Sequence, residues 1–362
     1  APHAWAGPWR AAELVESADV LANPEALGSG WWFVVGDFSG RVHGWRFADV
    51  QRVDDERPVP PPRPWRGPSP STWRSSLDQQ GYVDAVAATR EAIAAGKLEQ
   101  VNLCRVLSAP LGARVERPSA GALADLVAAH HPATYACGID VPADSGHREA
   151  WLVSASPERF LGVQGTRVSA APVKGTAPRP ELLVPKDYAE SRLVAEAMRA
   201  ELAPLCVPST ARVAPGPLVE ELPGLVQLVA PVTGELPEPP TGHTWRELFQ
   251  RLLPPMSVAG VPRPAALAHI ADLEPVERGP YCGMAGWIDA DRGEAELGVT
   301  IRSFWWESPT SGQAHGTLRF GTGAGITYDS DPEREWHETQ LKAERLLSLA
   351  SDALDVDRAV AP

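Results

Sequence analysis

The alternation of apolar and polar positions predicts several short strands in this chain. Residues 30–38, GWWFVVGDF, and 40–47, GRVHGWRF, predict a strand pair that turns at Ser39 and Gly40. Residues 98–111, LEQVNLCRVLSAPL, predict a strand with Gln100, Asn102 and Cys104 on one face. Further strands are predicted over residues 135–141, 222–236 and 318–326, with a hairpin over 283–307 that turns at Asp291-Arg292-Gly293.

Apolar residues at helical spacing predict helices between these strands. In the first of them Tyr82, Val86, Thr89 and Ile93 recur with that spacing and Gly96 ends the pattern. The predicted helices cover Leu77–Gly96, Ser119–His130, Lys186–Leu202, Thr244–Leu253, Ala265–Leu273 and Pro332 to about Ala353. Helices interspersed with hairpins, without regular βαβ alternation, predict an α+β fold with a largely antiparallel sheet.

One stretch, residues 154–179, carries candidate chemistry on predicted strands. Glu158 begins one strand-like segment and Lys174 ends the next, and the glycines between them predict an antiparallel hairpin. A carboxylic acid and an amine on neighbouring strands could face one cavity. From these residues alone, an exposed salt bridge is the other interpretation.

Two pairs of acidic residues lie at i, i+3 spacing on separate predicted helices. Asp187 and Glu190 form one pair, Glu335 and Glu338 form the other, and Lys342 follows Glu338 at i+4. Carboxylates on two rigid helices suit a magnesium ion that also binds an anionic substrate. The other interpretation is that each pair complements the positive end of its helix.

Composition narrows the class of protein. The net charge of −13 over 362 residues argues against nucleic acid or an anionic membrane as a partner. The four cysteines have no C-x-x-C spacing, so reduced thiols in a cytoplasmic protein are expected. The start of the chain has no signal-peptide pattern and no stretch is apolar enough to cross a membrane. A proline-rich connector at 57–71 predicts a short β-rich segment, residues 1–56, packed on a main domain at 72–355.

Several motifs occur together, in a fixed order, between about residues 73 and 350. They are SASPERFL, APVKGTAPR, RGPYCG, GVTIRS and FGTGAGITYDSDPEREWHET. In this combination the chain resembles the chorismate-utilising enzymes, which include the anthranilate, aminodeoxychorismate, isochorismate and salicylate synthases. The resemblance implies a two-layered antiparallel β sandwich flanked by helices, with the active site between the layers.

The resemblance also implies a role for each matching residue. Glu158 corresponds to the general acid for the departing C4 hydroxyl, and Lys174 to a nucleophile. Mg²⁺ is expected on Glu190 and Glu338, with outer carboxylates from Glu335 and from Asp187, which is usually Glu. Tyr281 and Arg302 correspond to the residues that hold the enolpyruvyl carboxylate. The other residues assigned to substrate binding are Gly323, Gly325, Lys342, Gln100, Gln227 and Thr176.

Two positions distinguish the branches of this family. Isochorismate and salicylate synthases carry a water-activating lysine where this chain has Gln100, and anthranilate synthases usually carry alanine where it has Lys174. Aminodeoxychorismate synthase component I often carries lysine there, which attacks C2 and is then displaced by ammonia. The expected product is therefore 4-amino-4-deoxychorismate, for para-aminobenzoate and folate synthesis, with ammonia from a separate glutamine amidotransferase.

Departures from the family pattern leave alternatives open. Gln227 replaces a histidine, Arg263 replaces the lysine of a GAPK loop, Ala177 replaces an arginine, and Arg199-Ala200-Glu201 stands where RND is usual. Anthranilate or 2-amino-2-deoxyisochorismate is the alternative product. A non-catalytic chorismate-binding subunit is the alternative from another class.

Overall fold

The computed structural model describes residues 1–53, 64–113, 117–222 and 225–352. Residues 57–63 of the predicted connector lie outside these ranges, so the boundary placed at 57–71 stays a prediction. The helices are α1 Gln79–Ala94, α2 Ala120–His130, α3 Pro185–Leu202, α4 Gly242–Leu252, α5 Met256–Ala259, α6 Arg263–Leu273 and α7 Pro332–Ala350. Short 3-10 turns lie at Pro24–Gly28, Pro70–Thr72, Ala143–Ser145, Pro180–Leu182 and Ala203–Leu205.

The strands are numbered in chain order. They are β1 His3–Ala6, β2 Trp9–Asp19, β3 Trp31–Gly36, β4 Val42–Arg52, β5 Arg74–Ser75, β6 Gln100–Ala113, β7 Tyr135–Val141, β8 Ala150–Ser156, β9 Arg159–Gln164, β10 Arg167–Ala171, β11 Val173–Ala177, β12 Arg212–Val213, β13 Leu218–Leu222, β14 Leu225–Val229, β15 Val232–Glu235, β16 Gly260–Val261, β17 Met284–Asp289, β18 Glu294–Val299, β19 Ser303–Glu307 and β20 His315–Ile326.

Most strands in the described ranges form one long antiparallel sheet. Its neighbours run β6–β20–β19–β8–β7–β1–β2–β4–β3–β17–β18–β9–β10–β15. This ribbon folds back on itself so that β7 packs against β17 and β18, with Ile139, Met284 and Leu297 in a shared core. Burying apolar faces of both halves against each other stabilises the two layers. The predicted α+β fold with a large antiparallel sheet is confirmed.

The N-terminal strands join the two halves of this sheet. β1 pairs with β7 and β3 pairs with β17, so β1 to β4 lie in the middle of the ribbon. The sequence pattern predicts β3 and β4 but not β1 and β2. β2 reads WRAAELVESAD, in which alanine and glutamate favour helix, and its pairing with β1 and β4 overrides that local preference.

The stretch at residues 154–179 is more divided than one predicted hairpin. Glu158 lies between β8 and β9, β9 and β10 form the hairpin, and β11 enters a separate sheet with the order β11–β14–β13. The single strand predicted at 222–236 is likewise wrong, because β14 and β15 lie in different sheets. Pro172 and Pro231 mark the two breaks, where the Ala230 amide donates to the Pro172 carbonyl. Proline cannot donate to a ladder, so each strand ends there.

The helices α3 and α7 begin as their sequences predict. Pro185 and Pro332 occupy first-turn positions, where the missing N–H costs nothing. The Asp331 side chain accepts from the Arg334 amide at the start of α7, and α7 then packs over β20 and against α1. No helix in the part of the chain that the structure describes is long and apolar enough to cross a membrane.

Candidate active site

The residues assigned to chemistry converge where β6, β11 and β20 meet. Gly325 of β20 has no room for a side chain, because a Cβ there would lie 2.9 Å from Nε2 of Gln100 on β6 and 3.4 Å from Nζ of Lys174 on β11. Glycine at this position therefore allows an amide and an amine to approach one backbone. The Gln100 side chain is buried, and its Nε2 has no hydrogen-bond partner among the described residues. A buried donor of this kind is available to a ligand.

Lys174 lies within the electrostatic reach of four other predicted site residues. Burial lowers the pKa of its ammonium, and Lys342 lowers it further, whereas three carboxylates raise it. Those carboxylates belong to Glu158, Glu190 and Glu338. The structure thus brings together acids that lie between β8 and β9, on α3 and on α7. An amine whose charged form is disfavoured by desolvation is more readily neutral and nucleophilic.

Glu158 is buried, with 3% of its surface exposed. Burial raises its pKa to about 7, and the Ser257 hydroxyl, the Lys174 ammonium and the Val173 amide oppose this effect by stabilising the charged form. A carboxyl group with this pKa is substantially protonated near neutral pH. It is therefore suited to donate a proton to a departing hydroxyl.

The two acidic pairs lie on separate helices, and groups from both helices act electrostatically on one another and on Lys174. Lys186 lies 3.6 Å from Oε1 of Glu190 on its own helix and also acts electrostatically on Glu335 of α7. On α7 the Lys342 ammonium lies 2.6 Å from Oε1 of Glu338. Burial raises the pKa of both Glu190 and Glu335, since each carboxylate is partly removed from water. The spacing in the sequence could not show that groups on the two helices act on one another.

Asp187 is used differently from the other acids in this arrangement. Its Oδ2 accepts from the Val184 amide at 2.9 Å and so caps the start of α3. A Cβ on Gly175 would lie 2.7 Å from the Asp187 Cβ, so this residue also packs against β11. Its place among the outer metal ligands stays a prediction.

The donor chemistry of this region suits magnesium. Carboxylate oxygens are its preferred protein ligands, and desolvated carboxylates gain from a nearby cation. In the described ranges, however, no three metal-binding side chains are close enough together to hold an ion as they stand. Glu190 and Glu338 each face a lysine instead, and those lysines neutralise the carboxylates in this arrangement.

Arg302 carries a guanidinium that pairs with no carboxylate among the described residues. Arg302 has a left-handed φ of 52°, and burial lowers its pKa. Its Nη1 lies 3.3 Å from Nε2 of His131, whose pKa is lowered to about 4 by burial and by neighbouring Arg302 and Arg345. A partly desolvated guanidinium beside a neutral imidazole is suited to bind an anion. The left-handed backbone of Arg302 is strained, and such strain is typical of functional positions.

Tyr281 packs under the strand that carries the predicted glycines. It is buried, and a Cβ on Gly321 of β20 would lie 2.1 Å from its ring. Gly323 is equally crowded, with Sγ of Cys104 2.5 Å from a Cβ placed there. The Gly323 carbonyl accepts from Lys342 at 3.1 Å. These contacts bring the backbone of β20 close to the site and tie α7 to it.

Gln227, the residue that departs from the histidine implied by the family resemblance, is held by one hydrogen bond. It is buried on β14 directly opposite Thr176 of β11, and its Nε2 donates to Glu220 at 2.6 Å. The amide is thereby oriented, with its carbonyl oxygen left as an acceptor. Sequence reasoning did not single out Glu220, because it lies on the next strand and nothing in its local pattern indicates the contact.

Other contributors to the site were also missed. Ser257 lies in the short helix α5, in a stretch that the sequence pattern predicted as a loop, and the fold brings it close enough to lower the pKa of Glu158. Lys186 carried a readable signal, since it precedes Glu190 at i, i+4 spacing. His131 had none, because its contact with Arg302 joins residues far apart in the chain.

Two departures from the family pattern prove to be partners. Arg263 at the start of α6 lies 2.9 Å from Glu201 near the end of α3, and both side chains are largely buried. This ion pair joins the end of α3 to the start of α6. The two replacements therefore make one structural unit.

Comparison with known proteins gives a consistent result for most of the chain. A family model described as chorismate binding enzyme matches residues 31–348. The chain is 33% identical over 287 residues to anthranilate synthase component 1 of Thermus thermophilus, covering 76% of this chain and 57% of that protein. It is 29% identical over 290 residues to aminodeoxychorismate synthase component 1 of Klebsiella aerogenes, covering 76% and 59%. The chain thus spans about half the length of the curated relatives it matches.

The solved structures agree with the fold over nearly the whole chain. A protein from Bacillus anthracis, titled a 2,3-dihydroxybenzoate-specific isochorismate synthase, superimposes with a TM-score of 0.75 at 26% identity, covering 96% of each chain. The three similar proteins carry three different product names, so likeness alone does not select a product.

Proposed function

Because this chain belongs to the chorismate binding enzymes, we propose that it is an aminodeoxychorismate synthase component I, which converts chorismate and ammonia to 4-amino-4-deoxychorismate. The observation that carries the proposal is the position of Lys174 beside Glu158 and next to the side-chain-free backbone of Gly325. A desolvated amine close to a carboxyl group that is partly protonated near neutral pH is the pair that nucleophilic attack with loss of a hydroxyl requires.

The proposed reaction proceeds in two balanced displacements. Neutral Lys174 forms a bond from Nζ to C2 of the ring while the C4 hydroxyl leaves as water, with its proton supplied by Glu158. Ammonia then forms a bond to C4, and Lys174 leaves C2 with the electron pair of that bond. Glu158 regains a proton from the attacking ammonia, so the residues return to their starting forms.

The two carboxylates of the substrate are assigned to two cations, the Arg302 guanidinium and the Mg²⁺ that the acidic helices would hold. Arg302 and Tyr281 hold the enolpyruvyl carboxylate, since the buried guanidinium has no carboxylate partner within the described residues. Glu190 and Glu338 would hold Mg²⁺, with Glu335 and Asp187 outside them, and the ion would neutralise the ring carboxylate when bound. For this, each ligand must leave the lysine that it faces in the present structure.

Two alternatives are distinguished by specific residues. The relative from Thermus thermophilus is an anthranilate synthase component, so an ortho-aminated product, anthranilate or 2-amino-2-deoxyisochorismate, is the second candidate. Gln100 disfavours a water nucleophile, since an amide cannot act as a base as a lysine does. The Arg263–Glu201 pair argues against a degenerate, non-catalytic subunit, because a compensated ion pair is not the mark of a decaying site.

Ammonia is proposed to come from a separate glutamine amidotransferase. The matched relatives are named component 1, which fits a partner that supplies a second activity. Nucleic acid and membrane are not proposed as partners.

The product experiment tests this proposal directly. The protein is incubated with chorismate, Mg²⁺ and ammonium both at near-neutral pH, where part of Glu158 is protonated, and at alkaline pH, where more of the ammonia is free. Products are separated by chromatography and identified by mass and proton NMR, because the isomeric amines share one mass. We expect the para-aminated product in wild type and its loss by several orders of magnitude in Lys174→Ala. An ortho-aminated product, isochorismate, or no turnover at all from wild type would each overturn the proposal.

A further inference from the structure

A buried guanidinium connects the sheet to the acidic helix α7. Arg105 on β6 is 2% exposed, and three of its contacts are with α7. Its Nε donates to Oγ1 of Thr339 at 3.0 Å, its Nη2 donates to Oε1 of Gln340 at 2.5 Å, and the group stacks 4.3 Å from the Trp336 ring. Its Nη1 donates to Oγ of Ser75 at 3.1 Å, and no salt bridge joins Arg105 to a carboxylate in the described ranges.

Those contacts fix the rotation of α7 about its axis and its position relative to the sheet. The Thr339 hydroxyl accepts a hydrogen bond from Arg105 and donates one to the Trp336 carbonyl at 2.8 Å. Arg105 is thereby linked to the backbone of the preceding turn of α7. From the neighbouring strand β20, the Thr322 hydroxyl donates to the Thr339 carbonyl at 2.8 Å. Two adjacent strands therefore hold the same residue of the helix from below.

The residue held is adjacent to a candidate metal ligand. Glu338 immediately precedes Thr339, and Glu335 lies one turn earlier on the same helix. One residue of an α-helix corresponds to about 1.5 Å of rise and about 100° of rotation, whereas metal–ligand distances tolerate only about 0.2 Å. Small movements of α7 would therefore displace its carboxylates from those on α3 by more than an ion can accept.

The chemistry of Arg105 is also unusual for a simple anchor. A buried arginine is normally neutralised by a carboxylate, yet among the described residues the partners of Arg105 are two hydroxyls, an amide oxygen and an aromatic face. Its planar group binds three points of α7 at once, which a lysine or a neutral side chain could not do. A carboxylate partner for Arg105 would place a further negative charge near Glu335 and Glu338, whereas the neutral partners do not.

We propose that Arg105 is a positioning residue that places the Glu335 and Glu338 carboxylates against those of α3 and thereby sets the affinity for Mg²⁺. The inference rests on the proposed function, because it assumes that these acids receive the ion. Partners outside the immediate ligands commonly change metal affinity by about 10- to 100-fold.

Mg²⁺ binding to wild type, Arg105→Gln and Arg105→Lys is measured by titration calorimetry, without turnover. We expect Arg105→Gln to weaken binding about tenfold and Arg105→Lys to weaken it less. In steady-state assays the Mg²⁺ requirement should rise while kcat at saturating Mg²⁺ stays close to wild type. Amide hydrogen exchange in residues 332–342 should accelerate in the same variants. If Arg105→Gln does not fold, Arg105→Lys and Thr322→Val carry the test, with the same direction expected in each.

Arg117→Gln is the matched control. Arg117 also stacks on a tryptophan, with its guanidinium 5.1 Å from the Trp306 ring, and holds Asp140 at 2.9 Å beside the start of α2, away from the proposed ligands. It should lower stability without changing Mg²⁺ affinity. Equal Mg²⁺ affinity in wild type and all Arg105 and Thr322 variants would refute the positioning role. A wild-type protein that binds no Mg²⁺ would instead refute the metal site of the proposed function.

Discussion

Replacing Glu158 by glutamine should stabilise the protein at alkaline pH while abolishing its proposed chemistry. The folded pKa of this carboxyl group is about 7, against 4.5 for the exposed group, so the native state holds its proton more tightly than the unfolded chain does. The stability of wild type is therefore complete below pH 4.5 and falls as the pH rises through about 7. A neutral amide of nearly the same shape is free of this dependence.

The size of the effect follows from the separation of the two pKa values. At about 1.4 kcal/mol per unit, a rise from 4.5 to about 7 costs wild type about 3 kcal/mol at pH 8. This is the upper limit for the gain, because the Lys174 ammonium loses a counter-charge in the variant. At pH 4.5 or below the two proteins should differ by less than about 1 kcal/mol, since the carboxyl group is protonated in both states.

Urea unfolding followed by tryptophan fluorescence at pH 4.5 and pH 8 measures the difference. Glu277→Gln, at a side chain that is 83% exposed, is the control and should show no such dependence on pH. In parallel, the wild-type kcat/KM should decline as the pH rises above about 7, because the general acid must be protonated. The same stability difference between wild type and Glu158→Gln at both pH values would show that Glu158 is not desolvated as described.

Two further predictions concern charged groups elsewhere in the site. Arg302→Ala should raise KM for chorismate roughly 30- to 150-fold, the equivalent of losing a charge-assisted pair of about 2–3 kcal/mol. Arg302→Lys should recover only part of this loss. An unchanged KM for Arg302→Ala in steady-state kinetics would place the substrate elsewhere. Arg263→Lys and Glu201→Asp should each lower the free energy of unfolding, and a double-mutant cycle from urea unfolding should show about 1 kcal/mol of coupling. Purely additive losses would mean that the two residues do not act as one pair.

The sequence by itself determined the features that depend on neighbours along the chain. The bounds of β7 at Tyr135–Val141 and of α2 at Ala120–His130 follow from local periodicity and from Ser119 as the N-cap. That Glu335 and Glu338 share a face of α7 follows from helical spacing. The motifs around Glu158, Lys174 and Arg302 were enough to identify the family.

Local patterns misled where the chain changes partners in space. The stretches 154–179 and 222–236 each read as continuous strand structure, because alternation does not record which sheet receives a strand. The prolines at 172 and 231 signalled the breaks, but not that the chain would leave one sheet for another at those points. Likewise, β2 became a strand against its local preference because β1 and β4 flank it.

Only the tertiary structure decided the chemistry of the site. Whether groups on α3 and α7 come close enough to act on one another depends on how the long sheet folds back, which no residue spacing encodes. The raised pKa of Glu158 arises from its burial in the fold, and Ser257, Lys174 and Val173, which come from other parts of the chain, only partly oppose it. The Arg263–Glu201 pair shows the same principle. In the sequence each residue was a separate departure from the family pattern, and only the fold shows that the two side chains form an ion pair. Spacing along a chain sets which side chains share a face, whereas burial and charge arise from what the fold packs against that face.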